Sequence, residues 1–306
     1  MALQSKLLDA SQRVLLYGTT PPRAGTPPDQ IDAAADKLAA RLAGLPLDGV
    51  VVYDIQDETG RTASPRPFPY IGTVDPRRYG ALLKRRLGVP AITYKALGTM
   101  DEAQWRAWLK ASENEVQFLS IVGRPASGVR YPLPLSRAIR IASASPEFIV
   151  GGVVIAERHD EQRSESARLL AKGIEGCGYF ISQTVYQPAP TQRLLADYLR
   201  DCRGAGITPK RVILTFAPCG REKTLGFLRW LGVNVSADTE RAILGAPDPL
   251  ARSIGICRDN LRRILDGAYA SHIPLGINVE SVSINRDEID ASVELFHALQ
   301  EVLAGR

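Results

Sequence analysis

Short apolar stretches alternate with longer amphipathic ones from one end of the chain to the other, and Gly, Pro and Asp punctuate the joins. The short stretches predict strands at Val14–Gly18, Gly49–Asp54, Ala91–Tyr94, Val116–Val122, Phe148–Ile155, Tyr179–Val185, Arg211–Phe216 and Leu275–Val282. Most are rich in Val, Ile, Phe and Tyr without strict alternation, the composition of strands covered on both faces. Strand and helix in regular succession specify a parallel sheet with helical crossovers. Eight such units predict a single α/β (β/α)8 TIM barrel, with residues 1–306 forming one domain. The competing arrangement is a doubly wound open sheet. It is disfavoured by the strand count and by the lack of a dinucleotide fingerprint after the first strand.

The helices carry their own signals. Asp29, after Pro27 and Pro28, is placed to cap a helix with Ile31, Leu38, Leu42 and Leu45 on one stripe. Asp101 with Gln104 reads as a capping box ahead of Trp105, Trp108 and Leu109, and Asn285 with Glu288 reads the same way ahead of the last helix. Two connections are long: Ile55 to Pro90, and Ala217 to Pro274, where at least two helical stretches extend the link between strands seven and eight. Long connections on a compact domain usually carry function or extra helices.

Composition narrows the function classes. A formal charge of +5 and a pI of about 9.1 favour an anionic ligand. The densest basic run, Arg77, Arg78, Lys84, Arg85 and Arg86, lacks interleaved aromatics and reads as a solvated helix face, so no nucleic-acid partner is expected. Cys177, Cys202, Cys219 and Cys257 are scattered without C-x-x-C pairs, which argues against zinc and disulfides and fits a reducing cytoplasm. The start has no secretory apolar core, and the longest apolar run, Phe148 to Ala156, is too short for a membrane helix. With His159, His272 and His297 the only histidines, no metal site is expected. Gly173, Gly176 and Gly178 follow a helix and precede a strand, so they read as a helix end and a turn, not a phosphate loop. Serine-hydrolase elbow, zinc-protease and P-loop motifs do not occur.

Barrel enzymes place reactive groups at the carboxyl ends of the strands. Those positions here are Tyr53 and Asp54, Tyr94 and Lys95, Arg124, Glu157 and His159, Gln183 and Tyr186, Thr215, and Asn278 and Glu280. The acidic segment that includes Asp54 and Asp57 could supply a general acid or bind a ribose, or be an ordinary solvated loop. Glu280 interrupts an apolar strand, with Asn278 two residues earlier on the same face. A carboxylate facing into a barrel requires a partner or a ligand, and a buried Arg or Lys is the structural alternative.

Several of these segments resemble one family. Tyr17 to Arg23, Y-G-T-T-P-P-R, resembles the F-E-F-F-P-P-R segment of the methylenetetrahydrofolate reductases. Ile174 to Gln187, I-E-G-C-G-Y-F-I-S-Q-T-V-Y-Q, is similar to their strand six, A-G-A-x-x-x-I-T-Q-x-x-F-D. Gly151 to His159 resembles G-V-A-x-Y-P-E-x-H, and Thr224 to Val233 resembles the helix after strand seven. The likeness runs in order along nearly the whole chain. It implies NAD(P)H-dependent reduction of 5,10-methylenetetrahydrofolate, with Gln183 on the pterin ring.

The departures matter as much. The family's acid falls on Gly18, its L-R-G-D aspartate on Arg124, and an aromatic on Ile155. The chain therefore looks closest to the divergent flavin-independent actinobacterial branch, which Gln183, Tyr186 and Glu280 match. That resemblance implies NAD(P)H as co-substrate, with FAD not expected but left open. Glu280 is the first choice of proton donor, with Asp54, Asp57 and Glu157 also in place. Tyr186, Thr215 and Asn278 join Gln183 on the substrate, while Arg124, Glu157 and His159 serve the cofactor, Arg124 binding its phosphate or the folate tail. The expected partner is a folate-like small molecule, with no membrane, a cytoplasmic location and a possible homo-oligomer. Two alternatives stay open: a different iminium or one-carbon substrate, and a non-catalytic partner subunit.

Overall fold

The computed structural model describes residues 3–56, 65–123, 132–160, 162 and 164–305. Eight parallel strands close in sequence order into a barrel: β1 (Leu15–Thr19), β2 (Gly49–Val52), β3 (Ala91–Ala96), β4 (Phe118–Val122), β5 (Ile149–Val154), β6 (Tyr179–Thr184), β7 (Arg211–Phe216) and β8 (Leu275–Glu280). β1 pairs with both β2 and β8, which completes the ring. Every strand expected from the sequence is present, with ends displaced by no more than two residues.

The helices are α1 (Leu3–Leu8), α2 (Pro28–Leu42), α3 (Pro76–Leu87), α4 (Glu102–Ser112), α5 (Leu135–Ser143), α6 (Glu165–Glu175), α7 (Pro188–Gly204), α8 (Glu222–Trp230), α9 (Ala237–Leu244), α10 (Pro249–Leu265) and α11 (Arg286–Ala304). α8, α9 and α10 form the extended link between β7 and β8. Alternating side chains divide the core into two shells. Leu16, Val51, Ile92, Phe118, Tyr179, Ile181 and Ile213 fill the barrel, while Val50, Val52, Leu119, Phe180, Leu214, Ile277 and Val279 face the helices.

Local capping follows the sequence at one helix and departs from it at two. Both bonds of the Asp101–Gln104 capping box form. α2 instead starts at Pro28, with Pro27 as its cap and Asp29 already inside the first turn. Proline at the first helical position needs no donor there, so Asp29 is left to act on the helix dipole. At α11, Asn285 accepts from the Asp287 and Glu288 amides, but the Glu288 carboxylate does not turn back to close a box. It is buried and accepts from Gly220 N, Thr224 Oγ1 and Ser283 Oγ, tying α11 to the start of α8. Donors of a buried loop outcompete the local motif.

The amino-terminal end of the barrel is closed by α1, whose Leu3 and Leu7 join the inner shell. Arg211 lies there, 1% exposed. Its guanidinium donates to the carbonyls of Leu7, Asp9 and Leu275, the last at 3.0 Å. Burial lowers its pKa to about 10. The basic run on α3 is partly engaged in ion pairs, Arg77 with Asp75 and Arg86 with Asp32 and Asp36. All four cysteines are free and buried. No helix among the described residues is long and apolar enough to cross a membrane.

Candidate active site

The carboxyl ends of the strands surround a cavity of about 1000 Å3. That is the upper end of the usual range for small-molecule sites. Tyr53, Tyr94, Gln183 and Glu280 line it from the strands, Phe227 and Leu231 from α8 and its end, and Arg66, Arg158, Arg168 and Lys172 supply positive charge.

The polar floor is built by strand register. β1 and β8 set Gly18 beside Glu280, and β1 and β2 set it beside Val51. A Cβ on Gly18 would fall 2.6 Å from Tyr53 Oη, so the bare glycine gives the Tyr53 ring its space. That ring meets Tyr94 edge to face, with centroids 4.9 Å apart. Below it lies Asn278, fully buried, whose Nδ2 donates to Tyr53 Oη at 2.9 Å and to Thr215 Oγ1 at 3.3 Å. Because the tyrosine oxygen accepts from Asn278, its own proton is available to the Glu280 carboxyl beside it.

Glu280 also accepts from Thr184 Oγ1 at 2.9 Å. It is enclosed by protein yet opens onto the cavity. Burial pushes its carboxyl above the ordinary range, and the Thr184 and Tyr53 hydroxyls offset part of that rise. Among the described residues no arginine or lysine pairs with it, so none of them supplies the buried ion pair of the structural alternative. A carboxyl in this setting can exchange a proton with a ligand in the cavity.

Gln183 follows Tyr179 and Ile181 on the inward face of β6, and an irregularity beside it brings Thr184 inward as well. The β6–β7 register shifts between Ile181 and Thr184. Ser182 Oγ there accepts from Thr215 N at 2.9 Å, filling a place in the ladder. Such a bulge re-aims side chains. Gln183 turns to the cavity with Nε2 donating to Leu231 O at 2.9 Å, and Thr184 turns to Glu280.

The remaining residues singled out in the sequence fall into three groups. Asp54 lines the cavity but is committed, to Lys95 Nζ at 3.1 Å and Ala96 N at 3.0 Å. Tyr186, Thr215 and Asn278 are buried and not on the cavity wall; Tyr186 donates to Ala217 O at 2.7 Å and accepts from Asn260 Nδ2 on its backbone oxygen. Glu157 and His159 follow β5 and point away from the cavity. His159 Nε2 meets Asp197 Oδ2 at 2.8 Å, and Glu157, its carboxyl raised by burial, approaches Asn234 N. Arg158 between them is the residue that lines the cavity. Asp57 and Arg124 lie outside the described residues.

Sequence reasoning missed Arg66, Arg168 and Lys172. Arg66 belongs to the Arg66-Pro67-Phe68-Pro69-Tyr70 run inside the long connection after β2, where the only signal was length plus an aromatic and proline cluster. Arg168 and Lys172 sit four apart on α6, paired with Glu165 at 3.3 and 3.8 Å. Among the described residues no cluster of three or more His, Cys, Asp or Glu could hold a metal.

The glycine–tyrosine fit can be tested directly. Gly18→Ala is expected to push the Tyr53 ring off Asn278 at a cost of about 1–3 kcal/mol. Denaturant unfolding measures it, and a variant as stable as the native chain would show that the ring has slack.

Fold and cavity together define a (β/α)8 barrel with a ligand-sized site at the carboxyl ends of its strands. No protein-family model matches the chain, and no curated protein matches it. Among solved structures it is similar to an uncharacterized protein from Clostridium thermocellum that binds two copies of 5-methyl-5,6,7,8-tetrahydrofolic acid. The TM-score is 0.83, with 30% identity over 99% of both chains. The chain belongs to the same family as that protein. An oxaloacetate acetylhydrolase bound to oxalate reaches a TM-score of 0.47 at 12% identity, covering 99% of this chain and 86% of its own. A dihydropteroate synthase from Xanthomonas albilineans bound to 7,8-dihydropteroate reaches 0.44 at 16%, covering 99% and 98%. At those values neither likeness bears on function.

Proposed function

We propose that this barrel binds a reduced folate at its mouth and reduces 5,10-methylenetetrahydrofolate to 5-methyltetrahydrofolate with NAD(P)H, without flavin. The observation that carries the reading is Glu280: a protonatable carboxyl held, among the described residues, by the Thr184 and Tyr53 hydroxyls, on the same cavity wall as the Gln183 amide. The family relation supports it, since the Clostridium thermocellum protein binds 5-methyltetrahydrofolate, which is the product of this reaction.

The chemistry follows from those groups. The Gln183 amide, anchored through Nε2, presents its oxygen to the N–H edge of a pterin. Protonated Glu280 gives its proton to N10 of the folate, and the C–N10 bond breaks to leave an iminium at N5. Hydride from C4 of the dihydronicotinamide adds to the iminium carbon, giving the methyl group and NAD(P)+. One proton and one hydride are consumed, and Glu280 is reprotonated from solvent. Direct transfer requires reacting carbons about 3–3.5 Å apart, which a shared cavity makes attainable. Asp54 suits the acid role less well, because Lys95 and the Ala96 amide already occupy its carboxylate. Ile155 gives the cavity an aliphatic wall where the resembled family has an aromatic, which disfavours a stacked isoalloxazine.

Tyr53 in the space beside Gly18 favours a second reading, action on a different iminium or one-carbon substrate, because it reshapes the floor where the family carries its acid. Absorbance of the purified protein and its NADH oxidation decide between them. A colourless protein that oxidises NADH only with methylenetetrahydrofolate supports the reductase. A yellow protein with stoichiometric flavin, or one indifferent to folate, contradicts it.

A further inference from the structure

At the rim of the cavity stands a guanidinium whose hydrogen-bonding capacity the described residues do not use. Arg66 is surrounded by rings. Its guanidinium carbon lies 5.2 Å from the Trp230 ring centre, 5.4 Å from Phe227 and 5.7 Å from Tyr70. Phe227 and Trp230 stack on α8 at an interplanar angle of 14°, and Phe68 packs edge-on against Phe227 at 5.2 Å. These faces hold the cation but accept none of its in-plane hydrogen bonds. Nε and Nη1 are both buried, and no described residue accepts from either.

Buried donors without acceptors are rare in folded proteins and ask for an explanation. Two other cations on the cavity wall contrast with Arg66: Arg168 and Lys172 face Glu165. Arg66 lines the cavity together with Tyr70 and Phe227. A guanidinium fixed in place by aromatic walls, with Nε and Nη1 unmet and a ligand-sized space before it, is organised to donate to anionic oxygens.

We infer that Arg66 seats the anionic end of the bound ligand, its unmet N–H groups donating to carboxylate or phosphate oxygens. This rests on the reading that the cavity takes a reduced folate and NAD(P)H, and it assigns the place of the ligand's charge. A folate offers the carboxylates of its glutamate tail and a dinucleotide its phosphates, and Arg66 would recognise either by the same chemistry. The neighbouring Tyr70 and Phe227 faces suit a flat aryl group leading to that charge.

The test is a set of equilibrium dissociation constants for the full chain and its R66K and R66Q variants. The probes are 5-methyltetrahydrofolate, NADH, and 6-methyltetrahydropterin, which carries the head group without the tail. R66Q is expected to weaken the anion-bearing ligand by about 10–100-fold. R66K should recover only part, because an ammonium keeps the charge but lacks the fixed planar N–H groups of a guanidinium. Binding of 6-methyltetrahydropterin should be unchanged. Loss confined to the folate identifies the tail carboxylates, and loss confined to NADH identifies the phosphates; either supports the inference. If R66Q binds both like the native chain, or loses 6-methyltetrahydropterin equally, the inference falls while the folate reading stands. If the native chain binds neither ligand, both fall.

Discussion

Glu280→Gln is expected to lower kcat by about 10²–10⁴-fold while leaving the affinity for 5-methyltetrahydrofolate within a few-fold. Glutamine keeps the shape and still offers Thr184 Oγ1 an oxygen, so the hydroxyl at 2.9 Å retains its acceptor. Only the transferable proton is removed. The active form of the native residue is the protonated one. Since burial raises the Glu280 pKa, kcat should fall as pH climbs through that raised value, and the variant should lose this limb. Stability carries the same signature. A carboxyl whose folded pKa lies above its unfolded value is stabilising while protonated, and that contribution is lost as pH rises through the folded value. The variant cannot ionise there. Its melting temperature should match the native chain at acid pH and exceed it by a margin that opens as pH rises. A variant with full kcat at every pH would remove Glu280 from the chemistry.

Arg211→Ala is expected to destabilise the fold by about 3–5 kcal/mol and to leave kcat unchanged wherever the variant is folded. Arg211 is buried at the end of the barrel opposite the cavity, where it bonds the carbonyls of Leu7, Asp9 and Leu275. Truncation leaves those carbonyls unmet, opens a void under β7, and loosens α1, which Lys6 also holds through Asp48. Residues at this face of such barrels serve stability, and those at the other face serve chemistry. Denaturant unfolding with parallel turnover assays separates the two, and a drop in kcat at full folding would show the ends to be coupled.

Much of the architecture was legible in the sequence because a buried parallel strand has a distinct signature. Gly49–Val52 is apolar on both faces, Arg211–Phe216 is apolar apart from Arg211 and Thr215, and the structure buries every residue in them. Glu280 was legible for the converse reason: one carboxylate in an apolar strand stands out. What escaped was set by contacts distant in sequence. Tyr186 sits just past a strand end, yet its hydroxyl reaches Ala217 O and Asn260 packs on its backbone oxygen, and it is buried. Glu288 has capping-box spacing, but the donors it serves come from the loop after β7 and from α8. Arg66 had no periodicity to mark it, since its aromatic surroundings are assembled from its own loop and from α8. The absent side chain at Gly18 read as a loss, whereas the structure fills the gap with Tyr53 and connects that ring to Asn278.

The proposed reaction turns on direct hydride transfer to a folate bound at the barrel mouth. The most direct measurement is a single turnover of the purified chain with 5,10-methylenetetrahydrofolate and dihydronicotinamide dinucleotide carrying deuterium at the transferred C4 position, followed by mass analysis of the product. The expected product is 5-methyltetrahydrofolate with one deuterium in its methyl group and none lost to solvent. Product without deuterium, or oxidised dinucleotide without 5-methyltetrahydrofolate, would contradict it.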